Sequence, residues 1–180
     1  IEGENSACIL SVYDDHDNGT LWTGTDGAGL FMTKNGEKPV NFNKSNSALS
    51  SNTICTFAKD AHGTLWMGTY SDGLYCYNEG AGIRKYRNNS DIGSENIKIL
   101  CYDKHRDKLY VGTSGAGLYI IDCKTQAVEK CIVSDDNKWV SALYLADNGL
   151  LWIGTYNGPM CYDPETGRIA KYDVTPGGAS

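Results

Sequence analysis

The chain has 180 residues, 41% of them apolar and 21% charged, enough to bury one sizeable core and with no apolar run long enough to span a bilayer. Sixteen Lys and Arg against 22 Asp and Glu leave a net charge of −6, which argues against a nucleic-acid partner and gives no attraction to anionic lipid. Twelve Tyr and 4 Trp beside 3 Phe, with 21 Gly and 4 Pro, suit short strands joined by tight turns.

Residues 1–6 are polar and residue 1 is Ile, so no signal peptide is read there and the chain is taken as a piece of a longer protein. Four segments then repeat: Leu21-Trp22-Thr23-Gly24-Thr25, Leu65-Trp66-Met67-Gly68-Thr69, Leu109-Tyr110-Val111-Gly112-Thr113 and Leu151-Trp152-Ile153-Gly154-Thr155, with aromatic residues 44, 44 and 42 positions apart. Each is followed by a turn and a second apolar segment, beginning at Gly29, Gly73, Gly117 and Gly158. Phe42, Tyr86 and Tyr172 stand 20 residues beyond their aromatic; the third repeat has Lys130 there and must carry a small insertion in its last hairpin.

Each repeat reads as strand a, turn, strand b, turn, strand c, turn, strand d, at about 53–58, 64–70, 73–78 and 83–87 in the second copy. Strands b and c carry adjacent apolar residues, Leu65-Trp66 and Leu74 through Tyr77, so both of their faces are covered. Strand d breaks its apolar positions with Arg84-Lys85 or Ala170-Lys171, as an outer edge does. Stacked four-stranded meanders of this length predict an all-β fold, a β-propeller or propeller segment of four antiparallel blades at about 7–44, 50–88, 95–134 and 138–174. The mid-strand glycines 24, 68, 112 and 154 are expected to leave room for a bulky ring from the same or the adjacent blade. Seven cysteines without CxxC spacing give no zinc site, and Cys76 and Cys161 occupy equivalent core positions.

The run Asp60-Ala61-His62-Gly63-Thr64-Leu65-Trp66-Met67-Gly68-Thr69-Tyr70-Ser71-Asp72-Gly73-Leu74-Tyr75 resembles the two-component regulator propeller repeat, and Leu49-Ser50-Ser51-Asn52 resembles that family's inter-blade link. The resemblance covers about residues 7–174, with local departures at Lys108, Tyr110 and Pro159-Met160. It implies the extracytoplasmic, periplasmic sensor region of a hybrid two-component histidine kinase of Bacteroidetes type, responding to glycans. It also implies larger, paired seven-bladed propellers followed by a β-sandwich, a membrane helix and cytoplasmic signalling modules. The segment itself is then a sensor and not a catalyst, tied to a membrane only through other parts of its parent chain. Four blades can close as a ring, pair as a dimer, or remain an arc whose end faces are covered by self-association or by further blades.

Propeller function gathers in the b–c and d–a loops. Tyr70, Asp72, Trp139, Tyr156, Asn157 and Asp26 supply aromatic faces and short polar groups of the kind that bind an oligosaccharide; the structural alternative is that the tyrosines cap blades and Trp139 packs between them. Asn52 and Asn96 belong to the same loops. The cluster Asp14 to Asn18 fails the calcium-loop spacing and reads as a solvated hairpin turn. Gly27/Gly29 and Gly115/Gly117 lie between strands and are no dinucleotide fingerprint. His16, His62 and His105 all fall in a–b turns, so no catalytic constellation, metal or cofactor is assigned. Two other classes stay open: a propeller lyase or glycosidase with acidic or His side chains converging in the channel, and a structural or protein-interaction propeller.

Overall fold

The computed structural model describes residues 7–35, 37–132 and 138–172. The first sheet holds β1 (Cys8–Asp15), β2 (Thr20–Asp26), β3 (Leu30–Lys34) and β4 (Val40–Phe42), and the second β5 (Ile54–Lys59), β6 (Leu65–Thr69), β7 (Leu74–Asn78) and β8 (Gly82–Lys85). The third holds β9 (Ile97–Asp103), β10 (Lys108–Thr113), β11 (Leu118–Asp122) and β12 (Ala127–Ile132), and the fourth β13 (Val140–Leu145), β14 (Leu151–Thr155), β15 (Gly158–Tyr162) and β16 (Ile169–Lys171). Each sheet is an antiparallel meander in chain order, and a single 3-10 turn at Asn89–Asp91 is the helical element among the described residues. The all-β, four-bladed reading therefore holds. The expected blade ends at residues 134 and 174 lie outside the described residues.

The apolar side chains form one core at each junction between blades. Trp22, Ile54, Leu65, Met67 and Tyr75 fill the first, Trp66, Ile97, Leu109, Val111 and Ile121 the second, and Tyr110, Val140, Leu151, Ile153 and Met160 the third. No such core joins the first blade to the fourth among the described residues, so the blades stand as an open arc and not as a closed four-bladed ring. Every residue of β6 is buried, whereas β16 is exposed throughout, as the two-faced b strand and the outer d strand require. Cys76 and Cys161 are buried core residues.

The junctions share one device, and it corrects the expected role of the repeated glycine. In all four blades strand a is bulged near its start, at Leu10, Cys55, Lys98 and Ser141. One extra residue reverses the face to which the preceding side chain points. Ile54, Ile97 and Val140 are thereby turned toward the preceding blade, where they lie over Gly24, Gly68 and Gly112. A methyl group on Gly68 would sit 2.6 Å from Ile97 Cγ2, and one on Gly112 would sit 2.6 Å from Val140 Cγ1. The space is taken by a β-branched aliphatic side chain of the next blade, not by an aromatic ring. Backbone ties reinforce the joints: Ser11 Oγ donates to Ile54 O at 3.3 Å, and Leu100 N donates to Thr56 Oγ1 at 3.1 Å.

The insertion expected around Lys130 is resolved into two parts. The hairpin loop spans residues 123–126 where the second blade uses 79–81, and Glu129 is bulged between the pairs Ile120–Lys130 and Ile121–Val128. Together they place Ile132 opposite Leu118, the position that Tyr86 takes opposite Leu74. The end of strand a carries a second recurring element, Asp15, Asp60 and Asp103, all buried. Asp60 Oδ1 accepts the backbone N–H of His62 and of Thr64, each at 2.9 Å, and its Oδ2 accepts the Trp66 indole N–H at 2.8 Å. One carboxylate thus closes the a–b turn and fixes the indole that fills the next junction.

Candidate functional site

The threonine that ends each repeated segment builds the loop face. Thr25, Thr69, Thr113 and Thr155 donate their hydroxyls to the carbonyls of Gly29, Gly73, Gly117 and Gly158 at 2.7–2.8 Å. The same oxygens accept the N–H of Ala28, Asp72, Ala116 and Asn157 at 3.0–3.3 Å. Each b–c loop is held from beneath by one side chain, and the residue after the threonine is presented outward. That residue is Asp26, Tyr70, Ser114 or Tyr156. Beside it stands the residue preceding strand a, and Thr53 O, for example, accepts Tyr70 N at 3.1 Å.

Of the six residues selected from the sequence, Trp139, Tyr156 and Asn157 come together on the fourth blade. The Trp139 and Tyr156 rings meet edge to face with centroids 6.1 Å apart, and the two residues are 52% and 82% exposed. Trp139 also bridges to Ser114 of the third blade. Asp26 and Tyr70 are joined on the first two blades through Thr53, whose hydroxyl donates to Asp26 Oδ1 at 3.1 Å. Tyr70 is 54% exposed although its blade is flanked on both sides, so exposure at this rim position is a property of the loop and not of the arc's ends.

Asp72 behaves differently. Its Oδ1 accepts Lys85 Nζ at 2.6 Å and its Oδ2 accepts the Tyr75 hydroxyl, which in turn accepts Ser50 N at 3.1 Å. Burial alone would raise the carboxyl's pKa, but the Lys85 and Tyr75 hydrogen bonds outweigh it and hold the group below its ordinary value. The charge is spent on tying strand c to strand d and to the inter-blade link. Asn96, also in the loop set, has its Oδ1 buried without a hydrogen-bond partner among the described residues, an acceptor left for a water or a ligand hydroxyl. The role of Thr53 as the joint between Asp26 and Tyr70 was not read from sequence; its position one residue before the strand-a isoleucine is the signal that marks it.

Among the described residues no three His, Cys, Asp or Glu side chains gather as a metal site, and no helix is long and apolar enough to cross a membrane. Two stretches, residues 48–71 and 134–157, match the family described as the two component regulator propeller. Each of these two stretches carries that family's repeat pattern. These two component regulator propeller repeats run from the inter-blade link of one blade into its b–c loop, the part that carries the exposed rim residue. No curated protein sequence matches the chain.

Among solved structures the chain is similar to the extracellular domain described for the hybrid two component system BT3049 of B. thetaiotaomicron, at 23% identity and a TM-score of 0.76, covering 94% of this chain and 25% of that one. It is similar also to the corresponding extracellular domain of BT4673 from the same organism, at 19% identity and a TM-score of 0.78, covering 95% and 26%. Streptogramin B lyase shares the fold at 9% identity and a TM-score of 0.74, with 97% of this chain and 57% of that one covered. The chain spans about a quarter of the length of the two extracellular domains.

Proposed function

We propose that this segment is part of a periplasmic, ligand-sensing propeller of a two-component system, and that it recognises a glycan at the rim of its b–c and d–a loops. The observation that carries the reading is the Trp139–Tyr156 pair. Trp22 and Trp66 are buried, whereas Trp139 and Tyr156 offer large exposed ring surfaces beside Asn157. Ring faces take the C–H surface of a sugar, and amides and hydroxyls take its polar edge. The role is binding, with the kinase supplied by another part of the parent protein. A propeller enzyme is less well supported, because Asp15, Asp60, Asp72 and Asp103 are each engaged in holding turns, strands or ion pairs.

Calorimetric titration of the complete sensor region with a panel of oligosaccharides tests this. Binding is expected, with affinity reduced at least tenfold by Tyr156→Ala and by Trp139→Ala, a loss of about 1.4 kcal/mol or more. Silence across the panel, or affinity untouched by both substitutions, overturns the reading.

The end faces are proposed as joints to further blades, of this chain's parent or of a second copy. Ile9 holds the position of Ile54 and Ile97 but is 53% exposed where they are 0%. Gly154 holds the position of Gly68, yet the nearest atoms to a methyl group there, among the described residues, belong to its own blade's Ala142 and Ser141. One end thus carries a side chain without its glycine, and the other a glycine without its side chain. Such complementary ends make a head-to-tail contact. Light scattering after gel filtration of this segment is expected to show association with rising concentration, weakened by Ile9→Asp; a strict monomer at high concentration argues for blades of the parent chain instead of a second copy.

A further inference from the structure

The junction between the first two blades is not sealed at its a–b turn end. At the second junction Tyr102 closes this end: it accepts Ala61 N at 3.0 Å and donates to Asp107 at 2.9 Å, beside the buried Cys123. The equivalent positions at the first junction are Lys59 and Glu79. Lys59 reaches across to Asp15 at 2.6 Å, and Glu79 is exposed. What remains is an open groove of about 450 Å³ between the blades.

The floor of this groove holds an unmet donor. Trp66 gives its indole N–H to Asp60, but the equivalent Asp15 has both oxygens occupied, by Lys59 and by Asn18 Nδ2 at 2.9 Å. Among the described residues the Trp22 indole N–H therefore has no acceptor, although Trp22 is only 2% exposed and lines the groove. The N–H opens onto the groove, where a ligand or water can supply its acceptor. The Tyr77 ring lies against the indole with centroids 4.7 Å apart and also lines the groove. Lys34 from the first blade and Glu79 from the second complete the polar walls, and neither forms an ion pair among the described residues.

We infer that this groove binds one neutral saccharide ring. A ligand hydroxyl can accept the Trp22 N–H, and a C–H face suits the Tyr77 ring. Hydroxyls act as both donors and acceptors, which matches one free ammonium and one free carboxylate. An anionic ligand would meet Glu79, and a cationic one would meet Lys34. The Asp15–Lys59 pair is internally compensated and adds no net attraction for either. The groove lies at the strand end opposite the rim, since Thr20 opens β2 here and Asp26 closes it there. The inference does not rest on the rim reading.

Titration of the protein by isothermal calorimetry with glucose, galactose, mannose and N-acetylglucosamine tests it, with glucuronate and glucosamine as charged comparators. Saturable binding of at least one neutral sugar is expected, weakened at least tenfold by Glu79→Gln and by Trp22→Phe. Glu79 is exposed, so its substitution keeps the test valid where Trp22→Phe disturbs folding; a thermal melt reports that. Absence of saturable binding, affinity insensitive to both groove substitutions, or binding confined to the charged sugars overturns the inference. Loss in Trp139→Ala alone places the ligand at the rim and overturns the groove.

Discussion

Replacing Gly68 with alanine is expected to lower the unfolding free energy by about 2–3 kcal/mol, the upper range for overpacking a tight site. The new methyl would lie 2.6 Å from Ile97 Cγ2 and 2.6 Å from Thr56 Cγ2, well inside contact distance. Both neighbours are β-branched and stiff about χ1, so neither can swing aside. Relief must come from parting the second and third blades, whose core includes Trp66, Leu109 and Val111. Ile97→Ala alone removes a fully buried side chain and is expected to cost about 2–5 kcal/mol. In that background Gly68→Ala is relieved of the Ile97 Cγ2 contact but keeps the one with Thr56 Cγ2, so its added cost falls by about 1 kcal/mol, a coupling within the usual range for residues in contact. Equilibrium urea unfolding of the four proteins in the cycle measures it. Equal cost of Gly68→Ala in both backgrounds contradicts the joint described here.

That glycine shows how far the sequence could be read. Its presence in four copies and its need for a neighbour were legible, and so were the strand order and the outer, charged d strands. The identity of the neighbour was not. Ile97 lies 29 residues downstream, and it reaches Gly68 only because the bulge at Lys98 reverses its face. A period-two reading of strand a points Ile97 the other way, and nothing in the residues around Lys98 announces the bulge. The insertion at Lys130 was visible as a lost register, but its division between a longer loop and a bulge at Glu129 required the pairing itself.

The rim was legible in chemistry and only partly in geometry. The residues following each threonine were recognised because the loop varies where the scaffold repeats. Asp72 reads in the sequence as one of the short polar groups of the loops, yet Tyr75 and Lys85 from two neighbouring strands capture it. The groove at the first junction was hidden for a related reason. It arises from Lys59 and Glu79 standing where Tyr102 and Cys123 stand one blade later, and exposed-looking charges in turns give no warning of a space between blades.

Asp60→Ala is expected to cost about 3–5 kcal/mol. The carboxylate is 5% exposed and accepts three hydrogen bonds. Truncation leaves three donors, but they do not suffer equally. His62 N belongs to an exposed turn and can be rehydrated, whereas Thr64 and Trp66 are buried. Each buried donor left without a partner costs about 1–3 kcal/mol, so the two together cost about 2–6 kcal/mol, and about 3–5 is the middle of that span. Asp60→Asn keeps one oxygen for the two backbone N–H groups but turns an amide NH2 toward the Trp66 indole, so its cost should be intermediate, about 1–2 kcal/mol. The equivalent change at the first junction separates the two tasks of this aspartate. Asp15 holds no indole, so Asp15→Asn should leave the environment of Trp22 unchanged, while Asp60→Asn alters that of Trp66. Chemical denaturation gives the energies, and the indole N–H resonances in proton–nitrogen NMR spectra report each tryptophan separately. A Trp66 resonance that does not move in Asp60→Asn, or equal stability of Asp60→Asn and Asp60→Ala, would remove the indole from the account and leave the aspartate as a turn-forming residue alone.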